Sequence, residues 1–358
     1  MKNYFATFGF KSLRSLRLKN AKIMIIPEMM KAVKLEGPDG PLTAVTVKVP
    51  QPKAGEVLIK MASAPVNPSD LQRIKSVLKE NVDSFIPGIE GSGTVVSAGK
   101  GLIPKIWFGK RVACSSSDPT SGTWAEYMVT SASFCFPLPN SISDEQGSML
   151  LVNPMTAVAF FDIIKREKHK AVVNSAAAGA LGGMIRFLGK KNNISVINVV
   201  RNDQQAEMLQ AVGEKYVLKN SDTNFPEQLH LITRDLNATL ALDPINGKYT
   251  QQLLDNMPYG ATVIVYGNLS ASDDGTTLRP LVLENKKLHG FYLANWMKEN
   301  SLLKMVTNLN KVKQLLKNGF TVTVQDRFPL DKTQLAVDTY LNNMTGGKVL
   351  LVPDFKKI

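Results

Sequence analysis

The run Ala171-Val-Val-Asn-Ser-Ala-Ala-Ala-Gly-Ala-Leu-Gly182 places Ala176, Gly179 and Gly182 three residues apart. An apolar strand that turns sharply and opens a helix aims free N–H groups, and their partial positive charge, at one point. Small side chains let that backbone come close to a pyrophosphate. With Ala180 and Leu181 completing the first helical turn, the run is a candidate dinucleotide loop; the alternative is an ordinary small-residue turn.

The next predicted strand, Ser195 to Val200, leads into Arg201, which lies 19 residues beyond Gly182. An acid near that place would hold the ribose 2′-hydroxyl of NAD; an arginine can pair with a 2′-phosphate. Arg201 therefore points to NADPH, or else is a solvated strand-end residue, and nearby Asp203 keeps NADH open. Tyr266 and Gly267 end another predicted strand, where they would line a ligand crevice or form a simple turn. His169, His230 and His289 stand in no motif. Cys114 and Cys135 have neither zinc-ligand spacing nor the number for a disulfide framework, so a reducing compartment is expected and no metal site is assigned.

Two kinds of element must position these residues. From residue 30 to about 139 the chain has short alternating strands between Gly/Pro turns, namely Met30–Glu36, Ala44–Val49, Val57–Ala62, Gly93–Ser97, Arg111–Ser115 and Thr123–Thr130. Near Asp144 the pattern changes. Helices are expected over Ser143–Leu151 and Pro154–Lys165, then strands at Lys170–Asn174, Ser195–Val200, Leu240–Asp243, Thr262–Tyr266 and Lys287–Phe291, with helices at Ala180–Lys190 and Gln204–Val212. That alternation implies a doubly wound parallel sheet. A helix over Trp296–Leu316 and strands at Thr321–Phe328 and Lys348–Val352 complete the α/β expectation.

The 358 residues carry a formal charge of +13. Residues 1–29 supply six Lys/Arg against Glu28, and residues 1–27 contain no acid at all. Phe5, Phe8, Leu13 and Leu16 could share one side of a helix, with Arg14 and Arg17 elsewhere. This is the pattern of a mitochondrial targeting segment, the alternative being a disordered basic arm. The remaining +8 suits a polyanionic cofactor or substrate, or a basic surface. No basic-aromatic pattern typical of nucleic-acid modules is present. Nor is any apolar run of 18 residues, so no membrane-spanning helix is expected.

Several segments together resemble the zinc-free medium-chain dehydrogenase/reductases, among them quinone oxidoreductases and mitochondrial 2-enoyl thioester reductases. Ala64-Pro-Val-Asn-Pro-Ser-Asp70, Pro87-Gly-Ile-Glu-Gly-Ser-Gly93, Gly122-Thr-Trp-Ala-Glu-Tyr127 and Asn153-Pro-Met-Thr-Ala157 look like family motifs. Ile197-Asn-Val-Val-Arg201 and Gly290-Phe-Tyr-Leu-Ala-Asn-Trp296 look most like the enoyl thioester branch. The resemblance covers residues 30 to 353. It implies a GroES-like β-rich domain (30–152 and 295–358) around a Rossmann NADPH-binding domain (153–294), after a targeting segment (1–29). It implies a small-molecule substrate and a homodimer or a subunit of a larger mitochondrial assembly, in the matrix or on the matrix side of the inner membrane.

The resemblance also assigns residues. Asn67 matches an asparagine beside the nicotinamide, a catalytic candidate whose amide would hydrogen-bond a substrate carbonyl or the ribose, the alternative being turn support next to Pro68. Thr156 matches a threonine near the cofactor, the alternative being a helix cap. Asp70 is expected to cap the following helix, and Trp296 to be a core aromatic. Gly88-Ile89-Glu90 stands where zinc-dependent relatives have Gly-His-Glu, and residues 65–70 hold none of their Cys or His ligands. The enoyl thioester reductases carry a tyrosine shortly after Asn-Pro-x-Asp; Leu71 to Asp83 contains none. Arg73 or Lys75 would then stabilise an enolate or simply face solvent. Two functions follow: an NADPH-dependent, metal-free reductase of a quinone, enone or 2-enoyl thioester, and an accessory subunit that kept the reductase fold.

Overall fold

The computed structural model describes residues 25–354 apart from 36–39, 80–84, 119–120, 271–276, 301 and 318–319, so residues 1–24 of the targeting-like segment lie outside the described residues. The chain opens with β1 (Met29–Leu35) and β2 (Leu42–Lys48), an antiparallel pair. There follow β3 (Glu56–Pro65), α1 (Pro68–Lys79), β4 (Glu90–Ala98), α2 (Leu102–Trp107), β5 (Arg111–Ser115), β6 (Tyr127–Ser131), β7 (Cys135–Pro137) and α3 (Asp144–Ser148).

Then α4 (Val152–Arg166) leads into β8 (Ala171–Ser175), α5 (Ala180–Asn192), β9 (Ser195–Val200), α6 (Asp203–Ala211), β10 (Tyr216–Lys219), α7 (Phe225–Asp235), β11 (Ala238–Asp243), α8 (Lys248–Asn256), β12 (Thr262–Val265), α9 (Arg279–Leu283) and β13 (Lys287–Gly290). The chain continues through α10 (Leu293–Glu299), α11 (Leu302–Lys317), β14 (Val324–Phe328), α12 (Thr333–Asn342) and β15 (Lys348–Leu351).

The two expected sheets are present. The second is six-stranded and parallel, in the order β10-β9-β8-β11-β12-β13. The chain thus builds outward from β8 in one direction, then returns to β11 and builds outward in the other, as in a Rossmann fold. The first sheet runs β14-β15-β3-β4-β5-β7, with β6 on β3, so the chain's last strand inserts beside its third. This is the GroES-like β-rich layer.

Side-chain alternation along β8 divides the parallel sheet's two faces. Ala171 and Val173 pack with Leu229 of α7 and Leu253 of α8. Val172 packs in a cluster with Phe160 of α4 and Ile185 of α5. That cluster also contains Ala113, Leu138 and Leu350 of the β-rich layer and Leu315 of α11, so α4 lies in a core shared by both halves.

Three expected elements take a different form. The single helix over Trp296–Leu316 is two helices, because Asn300 is extended and its amide nitrogen donates to the Trp296 carbonyl, ending α10. The expected strand from Thr123 begins only at Tyr127. The Thr123 and Trp124 N–H groups donate instead to Gly88 and Pro87, at 3.0 Å each. The helix over Ser143–Leu151 shortens to α3, capped by the Ser143 hydroxyl, which accepts from the Gln146 N–H.

Candidate functional site

Where β8 and β11 lie side by side and their following loops diverge, the parallel sheet leaves a crevice beyond its carboxyl ends. The loop after β8 carries Ala176 with φ 50°, left-handed backbone that favours glycine. Gly179 then stands at the N-terminal boundary of α5, where no side chain caps the helix. A Cβ on Gly182 would lie 2.4 Å from the Ala177 carbonyl oxygen, so only glycine fits there. A Cβ on Gly179 would meet nothing closer than the Ala176 oxygen at 3.4 Å, leaving the backbone in front of Ala180 and Leu181 open.

A buried polar network fixes that loop from behind. The Asn174 amide on β8 donates to the Gly182 carbonyl (3.2 Å) and to Asn198 on β9 (3.1 Å). Asn198 donates to Glu214 (3.2 Å), which also pairs with Arg186 (3.4 Å) and Lys190 (3.1 Å) of α5. Arg186 reaches back to the Ala177 carbonyl. None of these five was singled out from the sequence. The paired asparagines inside two apolar strands were the available signal.

Arg201 is exposed at the end of β9, and its N–H donates to the Gln205 side chain at 3.0 Å. Among the described residues no carboxylate forms an ion pair with its guanidinium. Asp203 is instead 2.5 Å from the Lys219 ammonium at the end of β10. Across the crevice, buried Asp243 ends β11 and accepts from Ile245 N–H (2.7 Å), Asn246 N–H (3.2 Å) and the Thr250 hydroxyl (2.6 Å). Burial raises its carboxyl despite those donors. Tyr266 packs its ring 5.0 Å from that of Phe160, and burial pushes its hydroxyl up. Gly267 brings β12 against the Pro244 backbone, since a Cβ there would lie 2.8 Å from the Pro244 oxygen.

Three segments singled out from the sequence, those holding Asn67, Glu90 and Thr123, meet the start of α4 and the chain's last strand at the junction of the two halves. The Asn67 amide nitrogen donates to Glu90 Oε1 at 3.0 Å, while its oxygen accepts from the Lys348 ammonium. Glu90 Oε2 accepts from the Leu151 and Val152 N–H groups, both at 2.9 Å, and so caps α4. Asp70 Oδ2 accepts from the Asn67 N–H and Oδ1 from the Ile89 N–H, each at 2.8 Å. Thr123 donates to the Glu90 carbonyl (2.9 Å) and Trp124 to that of Pro65 (3.2 Å).

Asn67, Asp70, Glu90 and Lys348 are all buried. Burial raises both carboxyls, Asp70 to about 7, and lowers the Lys348 ammonium, against which the opposite charges pull.

These contacts revise several residue readings. The Asn67 amide is held by Glu90 and Lys348. Asp70 caps α1 from inside its first turn, its carboxylate accepting from the N–H of the residue just before the helix. Buried Thr156 is not a cap, because its hydroxyl donates to the Val152 carbonyl within α4 (2.7 Å). Trp296 packs on the shared core. Arg73 stacks over the Phe85 ring at 6.0 Å, and Lys75 is exposed. His169 bonds Thr239 (2.7 Å). Glu90 and Lys348 are the pair the sequence reading missed: Glu90 lay inside a quoted motif, whereas nothing near Lys348 linked it to residue 67.

The donor chemistry does not fit zinc. Among the described residues no three His, Cys, Asp or Glu side chains cluster. The Asp70 and Glu90 oxygens already accept backbone and amide hydrogens, and Cys114 and Cys135 are buried opposite each other in the β5–β7 pair. A dinucleotide does fit: the crevice offers an uncapped helix start, a cradle that a Cβ would fill, and an arginine at the second strand's end.

Residues 53–140 match the family described as "Alcohol dehydrogenase GroES-like domain", and residues 180–308 match "Zinc-binding dehydrogenase". The mitochondrial enoyl-[acyl-carrier-protein] reductase of Arabidopsis thaliana is 25% identical, over 95% of this chain and 94% of its own. A solved structure from Mesorhizobium loti, described as an NADPH:quinone reductase, is 32% identical. It superposes with a TM-score of 0.82, covering 92% of this chain and 100% of that one. Another so described, from Bacillus thuringiensis, is 26% identical with a TM-score of 0.80, covering 91% and 99%. The motif order, the two sheets, the crevice and these likenesses agree: the chain belongs to the zinc-independent medium-chain dehydrogenase/reductase family, related to the quinone oxidoreductases and enoyl-[acyl-carrier-protein] reductases.

Proposed function

We propose that this chain reduces a small conjugated acceptor, a quinone, an enone or a 2-enoyl thioester, by direct hydride transfer from NADPH without a metal. The observation that carries the reading is the start of α5: Gly182 admits no side chain, Gly179 leaves the backbone bare, and no cap occupies the helix end. Bound there, NADPH supplies the hydride from its nicotinamide. The backbone from Ala176 through Gly179, Ala180, Leu181 and Gly182 takes the pyrophosphate, and Arg201 pairs with the 2′-phosphate. Tyr266 and Gly267 border the crevice on the far side of the switch point. Asn67 and Thr156 act as positioning residues, Asn67 through Glu90 and Thr156 through the first turns of α4.

Within the acceptor class, a quinone is favoured over an enone or an enoyl thioester. Hydride addition to a quinone leaves a stabilised aromatic oxyanion that can take its proton from water. An enone or an enoyl thioester leaves an enolate that gains more from a positioned acid, and residues 71–83 contain no tyrosine. That same lack favours the second reading, a catalytically silent accessory subunit of a mitochondrial assembly such as a respiratory complex. The acid-free, basic composition of residues 1–27 and the mitochondrial relatives support placement in mitochondria, in the matrix or on the matrix side of the inner membrane. A homodimer is the expected state outside any such assembly.

The test is a titration with NADPH and NADH, followed by NADPH oxidation with a quinone and with an enoyl thioester. Turnover is expected with at least one acceptor. Arg201→Ala is expected to weaken NADPH about 10- to 100-fold, the worth of a hydrogen bond to a charged group, and to leave NADH unchanged. NADPH binding without turnover would select the accessory-subunit reading; no nucleotide binding would sink both cofactor and activity.

A further inference from the structure

We propose that α2 docks this protein peripherally on an anionic lipid bilayer. Four large apolar side chains in seven residues stand in solvent: Leu102 is 76% exposed, Ile103 54%, Ile106 48% and Phe108 60%. The local fold holds them there. Pro104 is buried beneath the helix, and the Trp107 indole N–H donates to the Ala132 carbonyl at 3.0 Å. With one side of the helix pinned to the sheet, its other apolar residues can only face outward.

Around them stand Lys53, Lys100, Lys105 and Lys110, all exposed, and no acidic residue occurs from Gly99 through Arg111. The Lys53 backbone belongs to this rim because its carbonyl oxygen lies where a Cβ on Gly99 would fall; Glu56 stands beside it, its carboxylate accepting from the Lys53 N–H at 2.7 Å, and the four lysines outweigh that acid.

Charge and shape together choose the occupant. Exposed apolar side chains ringed by lysine suit an anionic interface, where the ammonium groups meet phosphates and the apolar groups enter the acyl boundary. Side chains this open project from the surface instead of lining a groove. A fluid bilayer deforms around such projections, whereas a folded partner would need a matching hollow. Among the described residues no helix is long and apolar enough to cross a membrane, so the contact is superficial. The position leaves the crevice free: β4 runs from Glu90 at the junction to Ala98 just before α2, roughly 26 Å at the usual strand rise.

The test is flotation of the full chain with vesicles of phosphatidylcholine alone and of phosphatidylcholine mixed with phosphatidylglycerol. The variants are Leu102→Asp with Phe108→Asp, and separately Lys100→Glu with Lys105→Glu. All four positions are exposed, so the melting temperature should match that of the unaltered chain. Salt-sensitive binding to the mixed vesicles alone is expected. Removing each lysine charge should weaken it about fivefold, and more for a reversed sign; the apolar pair should weaken it at least about tenfold. An environment-sensitive dye on Ile103→Cys, the native cysteines being buried, should shift to the blue on binding. Binding by both variants as tight as that of the unaltered chain, which would assign the contact to the basic N-terminal segment, would overturn the proposal. So would equal binding to neutral vesicles, or a dye at residue 103 that does not respond. Conversion of a dimer to a monomer by the apolar pair would assign the patch to a second copy and would overturn it too.

Discussion

Gly182 and Gly179 sit three residues apart in one loop for different physical reasons, and that difference can be measured. The Gly182 Cα faces the Ala177 carbonyl too closely for any side chain, so Gly182→Ala is expected to shift the loop. The cost is that of a backbone clash, about 1–3 kcal/mol of stability, and NADPH binding should fall with it. Gly179→Ala meets ordinary contacts only, so its melting temperature should stay near that of the parent while NADPH affinity falls. If both substitutions change stability and affinity in parallel, the pyrophosphate assignment is wrong. Asp70 offers a second residue-scale test. Burial raises its carboxyl to about 7, so the native state keeps a proton that the unfolded chain gives up near pH 4. Its stabilising contribution is complete below about pH 4 and is lost as pH rises through about 7. The melting temperature should therefore fall across that window more steeply than in Asp70→Asn; parallel profiles would refute the shift.

At the scale of elements, β8 and α5 are held in register by side chains that would be out of place in an isolated unit. Asn174 and Asn198 are buried in strands, Asn174 donating to Asn198 and Gly182 and Asn198 to Glu214. A second polar cluster joins four elements: α1 through Asn67 and Asp70, β4 through Glu90, the start of α4 through the N–H groups that Glu90 accepts, and β15 through Lys348. Removing one charge from such a buried set leaves the other uncompensated. Lys348→Met is expected to destabilise the protein by about 3–5 kcal/mol in denaturant titration, and Lys348→Met with Glu90→Gln by less than the sum of the two single changes. Additive losses would mean that the two groups do not interact.

For the whole molecule, the shared core and the returning tail make the two halves interdependent. Met149 and Leu150 before α4, Phe160 and Ile164 on it, Leu315 of α11 and Leu350 of β15 belong to one apolar cluster. Arg327 of β14 pairs with Glu145 of α3 (2.5 Å), and Lys311 of α11 with Asp162 of α4 (2.7 Å), tying late segments to early ones. Because β15 stands between β14 and β3, its removal would expose the Ala64–Pro65 end of β3, which β6 does not pair. A chain ending at Gly347 is expected to lose the single cooperative unfolding transition, followed by circular dichroism. Retention of one sharp transition would show that the β-rich layer does not need its final strand.

The sequence by itself determined the local features. Apolar runs of four to six residues marked the parallel strands, and Ser195–Val200 matches β9 at both ends, because a strand buried on both faces leaves a continuous apolar signature. The spacing of Ala176, Gly179 and Gly182 was legible because a tight strand-to-helix turn is built from consecutive backbone groups. Periodicity did not divide α10 from α11, since the break rests on one asparagine side chain, and it missed α12, whose buried face forms only against distant strands, β2, β14 and β15. The tertiary structure alone decided that Asn67 is clasped by Glu90 and Lys348. Residues 281 positions apart meet only once the tail strand has inserted beside β3, and no local pattern records a pairing made by that insertion.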